Sequence, residues 1–157
     1  MFHEVVDEQA TAAKSADAES ADAEATDVTA ATLRAAFEET VREAAAETGR
    51  ETIREETDLN ASSVDAAFDG DADGLTVADG AAVLALRDDR DADAIVAELR
   101  DHLLIGMTTA VLDVDSIASA IEADLTGQEV QQALEGRAAM TLAELAEIAA
   151  VIERRKR

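Results

Sequence analysis

Apolar residues recur along this chain at helical rather than strand spacing. Leu33, Phe37 and Val41 fall at i, i+4 and i+8, behind Thr29 as an N-cap and with Val28 and Leu33 placed as a hydrophobic staple. Gly49 is a natural stop for this helix. A short helix around Glu51–Glu56 follows, with Ile53 its one clearly apolar residue. Further on, Ile95, Leu99, Leu103, Met107 and Val111 lie at four-residue steps, flanked by Val96 and Leu104. That broad face, beginning after the cap Asp91 and running to about Leu112, suits a long helix at the centre of a bundle. Gly106 within it predicts a close helix crossing. Asp113 or Asp115 caps another short helix over Asp115–Glu122, carrying Ile117 and Ile121. No strand pattern is apparent.

Two stretches flanking the long helix match each other. In residues 59–86 and 125–151, Leu59 falls on Leu125, Val64 on Val130, Phe68 on Leu134 and Gly70 on Gly136. After one dropped residue, Leu75 falls on Met140, Thr76 on Thr141, Val77 on Leu142, Val83 on Ile148 and Leu86 on Val151. The punctuation matches too. Asn60 and Thr126 are N-cap types, the two glycines end short helices, and Thr76-x-x-Asp79 and Thr141-x-x-Glu144 open the next helices as capping boxes. The fold class expected is therefore all-α: a helical bundle with two pseudo-repeated helix-turn-helix-like units, about 51–86 and 115–152, joined by a long central helix. Residues 29–157 form a single helical domain. Residues 7–28 hold almost only Ala, Asp, Glu, Ser and Thr, too little apolar surface to offset the entropy of ordering, and are expected to be a disordered acidic linker. The apolar plug Phe2-His3-Glu4-Val5-Val6 before it either docks back on the domain or frays.

Composition adds a habitat. The chain has 157 residues with 36 acidic and 13 basic ones, a formal net charge of −23. Lys14 and Lys156 are its lysines; the other cations are arginine. Such an excess repels itself in dilute buffer. In molar salt the Debye length falls to roughly 3 Å and the repulsion is screened. The acidic, lysine-poor surface therefore predicts a protein of high salt. There is no Cys, Pro, Trp or Tyr, so disulfide and thiolate chemistry is excluded and the core must be aliphatic with three Phe. No apolar run follows an N-terminal basic patch, and the stretch Leu103–Leu112 is too short and too charged at its flanks to span a bilayer. A cytoplasmic location is expected.

The sharpest candidate chemistry lies in the second unit. On the helix 127–135, Val130, Ala133 and Leu134 point one way, and Gln128, Gln131, Gln132 and Glu135 point the other. Glutamines there could read adenine edges in a major groove. Arg137 and the run Arg154-Arg155-Lys156-Arg157, the one basic cluster, could contact phosphates. Residues 117–157 carry 7 acidic and 5 basic residues, the most nearly neutral part of the chain. Against this, Glu129 and Glu135 would repel phosphates, and high salt weakens phosphate binding steeply. The first unit presents Ser62, Asp65, Ala66 and Asp69 at the equivalent positions, which argues against DNA contact there. A calcium-loop reading of Asp69-Gly70-Asp71-Ala72-Asp73-Gly74 is weak. Asp69, Asp71 and Asp73 occupy loop positions 1, 3 and 5, but Thr76 replaces the aliphatic position 8 and Gly80 the bidentate Glu at 12. His3 and His102 are the two histidines, and the adjacent Asp101 and His102 diverge by about 100° on a helix, so no base–orienter pair forms.

The segment VDSIASAIEADLTGQEVQQALEGRAAMTLAELAEIAAVI resembles the repressor-type (lambda-repressor-like) helix-turn-helix domains. Leu125, Val130 and Leu134 match their apolar positions, Gly136-Arg137 the turn, and Thr141-Leu142 with Leu145, Ile148 and Ala149 the last helix. The resemblance covers about 40 residues. Over most of 29–152 the chain also resembles a haloarchaeal family of unknown function. That likeness rests on Phe2–Val6, Arg100–Asp115, Gln131–Arg137 and Met140–Leu142. The acidic insert at 7–28 is a departure. The reading that follows is a non-enzymatic regulatory or adaptor protein with no cofactor, acting through a protein partner or self-association. Its alternatives are a DNA-binding transcription regulator and, more weakly, calcium binding at 69–73.

Overall fold

The computed structural model describes residues 2–19 and 28–156, with side chains described through residue 11 of the first stretch. Among these residues all regular structure is helix: α1 (Phe2–Glu19), α2 (Ala30–Thr48), α3 (Arg50–Glu56), α4 (Ala61–Asp69), α5 (Val77–Asp88), α6 (Ala92–Ala110), α7 (Val114–Ala120), α8 (Gly127–Leu134) and α9 (Leu142–Arg155). The expected all-α class is what the chain adopts.

The helix starts obey local capping chemistry. Thr29, Asn60, Asp91, Asp113 and Thr126 each accept a backbone N–H of the following turn through a side-chain oxygen. Thr76 with Asp79, Thr141 with Glu144, and Thr126 with Glu129 are complete capping boxes. Val28 and Leu33 are both buried, as a staple requires. Gly70 ends α4 in the left-handed region at φ 65°, and Gly136 follows α8 at φ 79°.

The N-terminal segment is only partly described. Helix α1 runs through Glu19, so the first part of the acidic stretch from residue 7 is helical. Residues 20–27 of that expected linker lie outside the described residues. The plug docks rather than frays. Phe2 and Val6 are buried one turn apart, and Phe2 meets Phe37 edge-on at 5.7 Å between ring centroids. Gly80 leaves the room for it, since a Cβ there would stand 2.9 Å from Phe2 Cζ.

The repeat is larger than the sequence match. Helices α2 to α5 and α6 to α9 form two consecutive four-helix units. α2 and α6 each have 19 residues, α3 and α7 each 7, α4 and α8 have 9 and 8, and α5 and α9 have 12 and 14. The central helix α6 joins the two expected units and is also the counterpart of α2. Buried Leu33, Phe37, Val41 and Ala45 recur as buried Ile95, Leu99, Leu103 and Met107. Each first helix ends on a residue with positive φ, Gly49 at 91° and Val111 at 56°.

The units interlock around an approximate two-fold axis. α2 packs most extensively on α9, and α6 on α5, so each unit's first helix covers the other unit's last. At the axis, Thr76 and Thr141 form an antiparallel bridge, with Val77 N donating to Met140 O at 2.7 Å and Leu142 N to Leu75 O at 2.9 Å. Two N-cap segments thus satisfy each other's backbone groups where both enter the core. One aliphatic core results, continuous from Phe2 to Ile152.

Candidate functional site

Helix α8 is held by three devices. Its N-terminus is closed by the Thr126–Glu129 capping box, which turns the Glu129 carboxylate back onto the Thr126 backbone N–H at 3.2 Å. Gly127 lets α7 approach, because a Cβ there would lie 1.9 Å from Asp115 Oδ1. The last carbonyls are capped from α6: Arg100 donates through Nε to Leu134 O and through Nη2 to Glu135 O, both at 2.9 Å. A guanidinium at a helix C-terminus both satisfies orphan carbonyls and complements the macrodipole.

The polar face of α8 is open to solvent. Gln128, Gln131 and Glu135 are exposed and Gln132 is half-buried. Gln131 Nε2 donates to Glu135 Oε1 at 3.0 Å, and Arg137 lies 3.4 Å from the other Glu135 oxygen with 76% of its side chain exposed. A carboxylate therefore stands among the groups that would face a phosphate backbone. The connection from α7 to α8 takes residues 121–126, two to three more than the turn of a repressor-type unit.

The C-terminal cations sit elsewhere. Arg137 precedes α9, and Arg154, Arg155 and Lys156 lie at its far end, about 20 Å along a helix of this length. Arg154 and Arg155 are exposed, while Lys156 donates to Glu153 at 2.9 Å and lies against Gly106 of α6. Arg157 is outside the described residues.

The aspartates of the first turn go to separate partners. Asp73 binds Arg34 at 2.6 Å, Asp71 accepts the Asp73 backbone N–H at 3.1 Å, and Asp69 is exposed at the end of α4. Asp65, equivalent to Gln131, pairs with Arg50, whose guanidinium also lies 4.8 Å from the Phe68 ring centroid.

The periodicity of α6 hid one feature. Its packed side is Leu99, Leu103, Gly106 and Met107, and its outer side carries Leu104, Ile105 and Val111, which are 48%, 67% and 90% exposed. The four-residue spacing puts Val111 on the core face. The helix ends one residue earlier, and Val111 takes the left-handed conformation with its side chain in solvent. A β-branched residue there is a genuine outlier. The signal available in the sequence was the doublet Leu104-Ile105 beside Leu103, more apolar residues than one face can bury.

The chain belongs to a family of unknown function, DUF5791, whose model matches residues 33–155. No curated protein and no solved structure matches it. No single helix among the described residues is long and apolar enough to cross a membrane.

Proposed function

We propose that the protein is a non-enzymatic regulatory or adaptor protein of a salt-adapted cytoplasm, acting through protein–protein contacts, and that its first partner is a second copy of itself. The observation that carries this reading is the apolar strip Leu104, Ile105 and Val111 on the outer side of α6. Holding a valine in the left-handed region costs on the order of 1–3 kcal/mol, and the monomer returns no burial for it. Between two chains of net charge −23, molar salt screens the repulsion and leaves the apolar contact effective. The far end of α9, which packs on α6 at Gly106, carries exposed Arg154 and Arg155 as cations for an acidic opposing surface. A two-fold contact would bring the strip onto its own copy.

Sedimentation in molar KCl tests this with wild type and Leu104→Ser/Ile105→Ser. The expected result is a concentration-dependent dimer for wild type and a monomer for the variant. A wild-type monomer at every concentration, or a variant that dimerises equally, overturns the self-contact.

A second reading is DNA recognition through α8. What favours it is the exposure of Gln128 and Gln131 with Arg137 just beyond, in a segment resembling repressor-type recognition helices. The Glu135 carboxylate between Gln131 and Arg137 ranks it below the protein-contact reading. Selection from random duplex DNA in molar KCl, comparing wild type with Gln131→Ala/Gln132→Ala, decides it; no enrichment, or the same enrichment for both, removes base readout.

A further inference from the structure

The docked helix α1 brings a set of donor groups together that the sequence keeps far apart. His3 and Asp7 lie one turn apart on α1, so they share a face. Opposite them stand His102 of α6 and Glu153 of α9. Ligand atoms of Asp7, His102 and Glu153 all lie within 4.8 Å of one another, and Asp7 Oδ1 is 3.5 Å from His102 Nε2. The His3 and His102 rings lie 5.6 Å apart between centroids, tilted by 43°.

Two features set this cluster apart from ordinary surface acids. His102 Nε2 is shielded from solvent, faces Asp7 and has no hydrogen-bond partner among the described residues. A buried polar nitrogen left unsatisfied carries a desolvation penalty that the native fold normally avoids. Glu153 is a charged residue only 9% exposed, in a helix whose other buried positions are apolar. Lys156 binds one of its oxygens at 2.9 Å, and among the described residues no other cation pairs with Glu153.

We propose that His3, Asp7, His102 and Glu153 form a site for one divalent transition-metal ion of the zinc type, clasping α1 to α6 and α9. Two imidazoles and two carboxylates are a borderline nitrogen–oxygen donor set, suited to zinc or cobalt rather than to calcium or magnesium. Tetrahedral coordination at 2.0–2.1 Å places donors roughly 3.3 Å apart. The Asp7–His102 separation of 3.5 Å already approaches this. The ion would give His102 Nε2 its missing partner and offset the two carboxylates. Burial pushes the His3 pKa down, which keeps its imidazole in the neutral form that ligation requires. The site makes docking of α1, which precedes the family-matched residues 33–155, dependent on metal.

The test uses the full chain, stripped with chelator, in molar KCl with excess magnesium to occupy surface carboxylates. Cobalt is titrated and its visible ligand-field absorption followed, then zinc is added in competition. One equivalent of cobalt with a tetrahedral-type spectrum, displaced by zinc and not by calcium, is expected. His102→Ala and His3→Ala should each weaken binding at least about tenfold. His3→Ala lies on the peripheral helix, so it remains informative if His102→Ala fails to fold. Absence of saturable one-equivalent binding in wild type, or undiminished binding in His3→Ala, overturns the proposal.

Discussion

Gly106 tests the packing of α6 against α9, the first and last helices of the second unit. A Cβ at this position of α6 would stand 2.7 Å from Ile152 Cγ2, closer than carbon atoms tolerate. Ile152 is 2% exposed and β-branched, with one strongly preferred χ1 rotamer in a helix, so moving its methyl takes an unfavourable rotamer change in a packed site or a shift of α9. Gly106→Ala therefore sets two effects in opposition. Alanine gains about 1 kcal/mol of helix propensity over glycine. Overpacking at a fixed contact costs about 1–3 kcal/mol. The net expectation is destabilisation by up to about 2 kcal/mol. Ile152→Ala removes the obstructing methyl, at its own cost of about 2–5 kcal/mol for the cavity. In that background Gly106→Ala should become stabilising by about 1 kcal/mol, because the propensity gain alone remains. Urea unfolding followed by far-UV circular dichroism in molar KCl measures all four proteins. A Gly106→Ala that stabilises the wild-type background, or a coupling near zero across the cycle, would refute the crossing of α6 and α9 at this residue.

Arg100→Ala should cost about 1–3 kcal/mol, since it strips the Leu134 and Glu135 carbonyls of their donors, and hydrogen exchange should show the loss at the C-terminal end of α8. Thr141→Ala should lose about 1 kcal/mol by removing the Glu144 capping box, measured by thermal unfolding. His3, with its folded pKa below the ordinary 6.5, binds a proton more readily once unfolded; α1 docking should hold above pH 6.5 and weaken as pH falls below it. The charged groups around His3 there are the N-terminus, Glu4, His102 and Glu98, and His3→Gln should flatten the profile read by α1 proteolysis. Calcium titration in excess magnesium should leave the melting temperature unchanged, because Asp73 is held by Arg34 and Asp71 by its own turn.

Sequence alone reached far into this fold where the chemistry is local. The N-caps Thr29, Asn60, Thr76, Asp91, Asp113, Thr126 and Thr141 each follow from a hydroxyl, amide or carboxylate placed just before an apolar period, and the stops at Gly70 and Gly136 follow from the positive φ that glycine permits. The likeness of 59–86 to 125–151 was visible because caps and core positions coincide. It was not visible that α2 and α6 extend the repeat. Equivalent buried positions hold Phe37 in one and Leu99 in the other, their caps are Thr29 and Asp91, and their stops are Gly49 and Val111. Packing tolerates such exchanges, so structure preserved what residue identity had lost. On the candidate α8 face, periodicity correctly set Gln128 and Gln131 outward. It could not tell that Gln131 and Arg137 converge on Glu135.

The sequence by itself determined the helical class, the helix starts, the aliphatic core and the acidic surface, because each depends on neighbours within a turn or on composition. The tertiary structure decided the rest. Docking of α1, the Thr76–Thr141 bridge, the exposed residues Leu104, Ile105 and Val111, and the meeting of Asp7, His102 and Glu153 all depend on which helix faces which. Helical periodicity fixes a residue's direction about its own axis, and only packing fixes what lies in that direction.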